Sequence, residues 1–443
     1  MKGLVLTYVI AAAASVGALR FPLIGLYVYV AFAVLRPQAI FGWAGDISYV
    51  SLVVGAATLA GWAFQGFGSW RFGRARPIVL ALLAFTAWFA VSAAFAQVPS
   101  RGFDSLSDWS KIVLPFLVGV TMMTEPAQWR PLLWTIVLAQ GYVGFEQNLN
   151  YVTKGFNTAA DGFGGMDNNC FGVSLVTLLG PAMALAISSK SLVKRALAAV
   201  AAALILHTTL LTFSRGAMVG LIAMAIVAFV MMPKRPRYMG GLLIAVIVAV
   251  RLTGPQLLER YGTVFAPSEE RDASSESRLD LWRDCLKVIV ANPLLGVGPA
   301  NWQVVAARYG WPEGKSAHSV WMETGAELGV PGTLILMFFF GSAAVRLWPL
   351  ARATLNDANR DEVALAAGVV LATVGFAVAG QFVSVPGLEV PYYIVMVGAA
   401  MLRAPLKSGA ETASGRALVT STGARAVTSL PTLQPARLAP VKR

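Results

Sequence analysis

The chain has 443 residues, 35 Lys and Arg against 22 Asp and Glu, and a formal net charge of +13. Charged residues make up 13% and hydrophobic residues 57%, against roughly 25% charged in ordinary soluble domains. That balance excludes a soluble enzyme, a disulfide scaffold and a disordered protein, and it gives no licence to read the charge as a nucleic-acid footprint.

A membrane-spanning helix needs about 17 to 25 mainly apolar residues. Runs of this kind recur at Leu4–Leu19, Phe21–Leu35, Tyr49–Phe64, Ile78–Phe95, Ile112–Met123, Pro131–Tyr151, Phe171–Ile187, Ala196–Phe213, Gly216–Met232, Met239–Val250, Val330–Leu347, Val363–Ala379 and Tyr392–Leu402. Leu4–Leu19 has the length of a signal peptide. A second apolar run follows at Phe21 with no polar cleavage region between, so it reads as retained. The pattern predicts an all-α polytopic integral membrane protein of about 12–13 transmembrane helices, with Leu4–Leu35 and Ile112–Met123 the ambiguous parts. Residues 1–252 form an N-terminal bundle, 253–317 a long polar loop with an amphipathic helix, 318–402 the last spans, and 403–443 a basic tail. Two cysteines, Cys170 and Cys285, do not make a disulfide framework and read as free thiols.

Short basic loops stay on the cytoplasmic side. Four hinges are basic: Arg71/Arg74/Arg76, Lys190/Lys194/Arg195, Lys234/Arg235/Arg237 and Arg346/Arg352/Arg360. Counting spans puts all four on one side, together with the tail. The N-terminus falls on the other side if Leu4–Leu19 spans alone. The segment 253–317 then lies outside, in the periplasm of a bacterial inner membrane. It is close to neutral, with seven basic and eight acidic residues. The tail has seven basic residues and one acid and is rich in Ala, Ser, Thr and Pro, so it is expected to be disordered and near anionic lipid.

The polar groups of the outer side come in five clusters. Glu146, Gln147, Asn148 and Asn150 end one span, and Asp167, Asn168 and Asn169 open the next. Either group could meet sugar hydroxyls, or Asp167 or Asn168 could simply cap the helix. Thr212-Phe-Ser-Arg-Gly216 is a tight hinge between two uncharged runs. Arg215 therefore sits at the hydrocarbon boundary, where a charge is costly and is by default a functional hypothesis. Its planar fork suits a phosphate; the alternative is an Arg snorkelling to the interface. Ser277 with Asp280 predicts a helix start, and Trp282, Cys285 or Leu286, and Ile289 form its apolar stripe. Arg278 lies one turn before Trp282 on the same face, as a second phosphate ligand or as part of a helix lying on the membrane. Pro293 ends this helix and Leu294-Leu-Gly-Val-Gly-Pro299 makes a turn. His318 starts the next helix, with Glu323 and Glu327 on one face of it. A His can move a proton near neutral pH. The other histidine, His207, lies inside an apolar run and reads as an interhelical hydrogen-bonder. No P-loop, no Asp-x-Asp and no Cys/His metal spacing occurs, so a reaction here would use an activated donor and neither metal nor cofactor.

Ser214-Arg-Gly216, then Arg278…Trp282…Asn292-Pro-Leu-Leu-Gly-Val-Gly-Pro299, then His318…Glu327-Leu-Gly-Val-Pro-Gly332, in this order around one long outer loop, resemble the O-antigen ligase/polymerase superfamily. The opening Met1-Lys-Gly-Leu and the Asp167-Asn-Asn169 loop look like its exosortase-associated O-glycosylation ligase branch. Ser319 departs from the family pattern, in which Asn commonly follows the His. The resemblance implies a GT-C-like glycosyltransferase architecture. It implies a polyprenyl-diphosphate-linked glycan donor and an acceptor hydroxyl, typically lipid A-core, joined at the periplasmic face without nucleic acid. It makes Arg215 and Arg278 the diphosphate ligands and His318 the base, with Glu323, Glu327, Trp282, Asp167 and Asn168 in support. A polymerase of the same superfamily is the alternative. A flippase, from another class, would need ionisable residues buried in mid-span, and His207 is the main one.

The orientation is checked with a periplasmic reporter fused near Ser274. It should be active there, and an inactive fusion inverts the topology.

Overall fold

The computed structural model describes residues 2–44, 47, 49–236, 273–354, 359–384 and 388–403, with isolated positions between 239 and 251 and the backbone alone for 273–277. The helices are α1 (Lys2–Arg20), α2 (Pro22–Leu35), α3 (Pro37–Ile40), α4 (Tyr49–Phe64), α5 (Arg76–Ala94), α6 (Pro99–Met122), α7 (Pro126–Lys154) and α8 (Asn168–Ser188). They continue with α9 (Leu192–Leu211), α10 (Arg215–Met231), α11 (Ala273–Ala291), α12 (Trp302–Val305), α13 (Val320–Ala351), α14 (Arg360–Ala379) and α15 (Glu389–Arg403). Among the described residues there is no strand, only an isolated bridge between Phe163 and Met166. The protein is an all-α polytopic membrane protein. Among the described residues six helical stretches are long and apolar enough to cross a membrane: Lys2–Arg20, Gly73–Ala94, Asn168–Ser188, Leu192–Leu211, Val320–Ala351 and Arg360–Phe382. Each expected span except Met239–Val250 coincides with a helix; that run, the stretch 252–272 and the tail lie largely or wholly outside the described residues.

The helices begin where local chemistry allows. Proline occupies the first turn of α2, α5, α6 and α7, where its missing N–H costs nothing. Side-chain oxygens of Asp167, Ser214 and Ser319 accept the free amides that open α8, α10 and α13. Proline at the first turn also lets α6 start at Pro99, well before the expected Ile112, with a polar first half. One expectation fails on α11 and another holds in part, through Cys285 and not Leu286. The helix begins at Ala273, so Ser277 lies in its second turn and is no cap. Its buried stripe is Leu281, Cys285 and Val288, with Trp282 and Ile289 partly covered, while Leu286 is exposed. The registration is set by packing on α13, not by the local Ser-x-x-Asp pattern.

At the centre stands α15, with every residue from Val390 to Leu402 buried. Beside it α8 is buried without a break from Phe171 to Ala182 and packs on α14, α9 and α10. The ends of the bundle are chemically distinct. At one end Arg403 donates to the Ser69 carbonyl at 3.0 Å and the Arg71 carbonyl at 3.2 Å, and Arg346 reaches the Arg74 carbonyl at 3.3 Å. This is the basic end, and the first and last basic hinges do meet there. Gln65 at the end of α4 donates to the Arg20 carbonyl, which brings the C-terminal end of α1 to the same place. The start of α1 therefore lies at the opposite end.

The opposite end is assembled on a break in α13. Gly329 has φ +71° and ψ −175° inside that helix. The break frees the carbonyls of Ala326, Glu327 and Leu328. Val297 N and Gly298 N donate to the first two, each at 2.9 Å, and Trp88 Nε1 donates to the third at 2.8 Å. In return Val330 N donates to the Pro293 carbonyl at 2.9 Å. The outer segment is thus stitched into α13 as backbone. It carries its own small core of Leu281, Cys285, Val288, Val297, Trp302, Val305, Ala306, Ala317 and Ala326.

A Cβ on Gly329 would lie 2.1 Å from the Leu294 oxygen, and its φ disfavours any other residue. Gly329→Ala should cost about 1–3 kcal/mol and lower the thermal unfolding midpoint in detergent, with proteolysis accelerated in 292–317. Gly341→Ala on the same helix, where a Cβ meets nothing within 4 Å, should change neither.

Candidate functional site

Glu323 and Glu327 come first, because they fix the backbone of the site. Both are buried. Glu327 Oε1 accepts the Trp302 amide at 3.2 Å. Glu323 Oε2 accepts the Ala317 amide at 3.3 Å and the Ser384 hydroxyl. They hold the chain on either side of the outer segment's core. A carboxylate taking backbone amides out of an apolar surrounding replaces the water those amides lose. Among the described residues neither is hydrogen-bonded to His318.

His318 follows from that anchoring. Its backbone is left-handed, with φ +50°, a conformation that costs a non-glycine residue about 1–3 kcal/mol. The neighbours enforce it. The Ala317 amide is held by Glu323, and the Ala317 carbonyl accepts from Trp282 Nε1 at 3.0 Å. On the other side Ser319 Oγ caps α13 by accepting the Met322 amide at 3.3 Å. Serine here performs the capping task that asparagine would, so the departure from the family pattern leaves the turn intact.

The imidazole lines a cavity of about 400 Å³ with Arg36, Asp167, Cys170, Ser316 and Ser384 among its walls, at the small end of the ~300–1,000 Å³ of ligand pockets. Burial, then the positive charges of Arg278 and Lys315, push His318 below its usual 6.5, against a weaker upward pull from Asp167. The ring is therefore neutral at pH 7 and able to accept a proton.

The hinge that carries Arg215 is bound to the α8 start. Asn168 Nδ2 donates to the Thr212 carbonyl at 3.0 Å, and the Ser214 hydroxyl donates to Asn169 Oδ1 at 3.0 Å. Phe213 there is left-handed, with φ +52°. Arg215 is half-buried at the first turn of α10. The next residue, Gly216, lies against Phe382, whose ring is 6.3 Å from that of Trp282. Trp282 in turn binds the residue before His318. The hinge, α11 and the His318 turn thus form one continuous neighbourhood, and Arg278 is close enough for its charge to act on His318. Arg215 and Arg278 both have partners within the protein. Neither lines the 400 Å³ cavity itself.

The remaining expectations sort by their hydrogen bonds. Asp167 both caps α8, accepting Cys170 N at 2.7 Å, and lines the cavity. Gln147 accepts from Thr158, Asn150 from Lys154, and Asn148 donates to Thr208 at 2.8 Å and meets His207 Nδ1. That cluster is used for helix packing, and His207 is the interhelical hydrogen-bonder expected. Both cysteines are free. Burial and the nearby Glu323, Asp284 and Glu327 carboxylates push the Cys285 thiol upward, which makes it unreactive. Among the described residues no group of three His, Cys, Asp or Glu is placed to hold a metal ion. Sequence reasoning missed Arg36, Ser316 and Ser384. Arg36 carried a usable signal, being the only charge between Arg20 and Asp46 and directly following an uncharged run, as Arg215 does.

Comparison with known families agrees with the motifs. Residues 200–337 match the profile of the family described as O-Antigen ligase, and residues 1–176 match a family of unknown function (DUF5935). No curated protein matches the chain. Over residues 200–337 the protein is thus similar to the O-antigen ligase superfamily, a group of membrane glycosyl-transferring ligases and polymerases. Both matched segments line the cavity: Arg36, Asp167 and Cys170 come from 1–176 and Ser316 and His318 from 200–337, while Ser384 lies outside both.

The chain has two histidines, so NMR of a ¹⁵N-histidine-labelled His207→Gln protein reports His318 alone. Its titration midpoint should lie below 6.5, and Lys315→Ala should raise it by removing a positive charge. A wild-type midpoint at or above 6.5 contradicts the neutral imidazole.

Proposed function

We propose that the protein is a membrane glycosyltransferase that moves a glycan from a polyprenyl-diphosphate carrier to an acceptor hydroxyl, at the periplasmic face of a bacterial inner membrane. The observation that carries this reading is the placement of His318. It sits inside the segment that matches O-Antigen ligase, neutral, in a cavity beside cationic groups. The acceptor class suggested by that family is lipid A-core or another surface acceptor. The face follows from the basic hinges, because the cavity lies at the bundle end away from Arg71, Arg74, Arg346 and Arg403.

The chemistry needs one proton acceptor and charge stabilisation. His318 takes the proton of the acceptor hydroxyl. The acceptor oxygen forms a bond to the anomeric carbon as the bond from that carbon to the diphosphate oxygen breaks. The electron pair leaves with the diphosphate, and Arg215 and Arg278 hold the charge that collects there. A single displacement inverts the anomeric centre. Glu323 and Trp282 act through Ala317 and are positioning residues. The domain division at 252, 317 and 402 follows the same logic, with the two membrane parts flanking the segment that supplies Arg278.

Arg215→Ala, Arg278→Ala and His318→Ala should each lower transfer in a purified assay by at least about 100-fold while membrane insertion is kept. His207→Ala should retain most of the activity. Near-normal transfer by the His318 or Arg215 variant removes the site assignment. Deletion of the gene distinguishes the products: loss of all attached glycan with lipid-linked polymer accumulating marks a ligase, and single-repeat products mark a polymerase.

A further inference from the structure

We propose that Arg36 is a third substrate cation. Its guanidinium exchanges the carboxylate of Glu389 for an oxyanion of the substrate that enters the His318 cavity. This rests on the glycosyl-transfer reading above and assigns a task to the part of the chain that matches a family of unknown function.

The residue is placed with unusual care for a surface arginine. It ends α2 with a left-handed backbone, φ +47°, and is followed at once by Pro37. Left-handed backbone at a non-glycine residue persists where surrounding structure enforces it. The enforcement is visible. The turn Gly162–Gly165 is built around the Arg36 side chain, and Nη1 donates to the Gly164 carbonyl. A Cβ on Gly164 would lie 2.4 Å from Arg36 Cδ, so the missing side chain there is what lets the arginine lie across the turn.

Its other partner is weak. Nη2 stands 3.7 Å from Glu389 Oε2, and both side chains are partly exposed, at 19% and 26%. At 3.7 Å the contact is longer than a charge-assisted hydrogen bond. A guanidinium has five N–H donors in a fixed fork, and among the described residues lining the cavity Arg36 is the one Lys or Arg. The wall also holds Asp167, whose Oδ1 is taken by the α8 cap. An incoming phosphate or carboxylate oxygen would make a shorter and better aligned contact with the fork than Glu389 does.

Two sources of that oxyanion are chemically equivalent: the diphosphate of the lipid-linked donor, and an anionic group on the acceptor. They are separated with the purified full-length protein in nanodiscs, using undecaprenyl diphosphate as the binding probe and transfer kinetics for the acceptor. If the donor supplies it, Arg36→Ala weakens probe binding by about tenfold or more, Arg36→Lys weakens it less, and Glu389→Gln tightens it about threefold by removing the competing carboxylate. Gly164→Ala displaces the arginine without removing it and should weaken binding as Arg36→Ala does. If the acceptor supplies it, the same variants leave probe binding unchanged and shift the KM for acceptor in the same directions. A purely structural ion pair predicts something else: Arg36→Ala and Glu389→Gln lower the unfolding midpoint alike and shift neither constant in opposite directions. That result, or no change in either constant, overturns the proposal. Arg215→Ala serves as reference. If it weakens probe binding while the Arg36 variants do not alter either constant, only the third cation is lost. If it too leaves binding intact, the transfer reading itself fails.

Discussion

The break in α13 at Gly329 is the constraint on which the outer end of the molecule depends. A continuous helix would satisfy its own carbonyls and offer the outer segment nothing to bind. By turning left-handed at one residue, α13 releases the carbonyls of Ala326, Glu327 and Leu328, and Val297, Gly298 and Trp88 take them up. Non-helical backbone at such a position is tolerated only where other protein groups satisfy it. The break and the outer segment therefore require one another. Ser92, on the α5 side, lies within hydrogen-bond distance of the Leu295 carbonyl at 2.7 Å and the Glu327 carbonyl at 3.1 Å. Gln97 N donates to Val297 O at 3.0 Å and Val98 N to Asn301 Oδ1 at 2.7 Å. A loop that composition alone would leave solvated is tied to α13, to α5 and to the link between α5 and α6.

From this follows the condition of His318. The two buried glutamates stand one turn apart on the same broken helix, and each accepts an amide from the outer segment. Glu323 sets Ala317, Trp282 confirms it from α11, and Ser319 starts the helix again one residue after the histidine. The strained residue is the one between two fixed points. Strain of about 1–3 kcal/mol is held by hydrogen bonds made by its neighbours and not by the imidazole, which leaves the ring free for chemistry. The glutamates were expected in a supporting role at the site. Their geometry makes them anchors.

The spans were legible because each depends on a local property, a run of apolar residues, and the helices coincide with those runs even where the ends shift. That the first and last basic hinges share one end of the bundle was legible too, since Arg346 reaches the Arg74 carbonyl. The side of the N-terminus was not, because it turns on whether α1 spans alone, and a single contact from Gln65 to Arg20 decides that. The register of α11 was misread for the same kind of reason. Ser277 and Asp280 have capping-box spacing, yet the helix starts earlier and turns its buried face by one residue to meet α13. His318, Arg215 and Arg278 could be named as chemistry-bearing residues in isolation. That Arg36 and Ser384, far from them in sequence, share the cavity of His318 is a property of the fold alone.

Arg36 and Arg215 nonetheless obey one physical rule. Each stands at the end of a helix that holds no other formal charge, Arg36 after α2 and Arg215 at the start of α10. Each adjoins a left-handed non-glycine backbone: Arg36 is one itself, and Phe213 stands two residues before Arg215. Each is bordered by the stretch that precedes and opens α8, through Gly164 in one case and Asn168 and Asn169 in the other. The stretch 162–169 therefore braces both cations at once, and α8, buried without a break over twelve residues from Phe171 to Ala182, gives that brace a fixed base. The charges that bear on chemistry are few, and the fold spends its strained backbone on them.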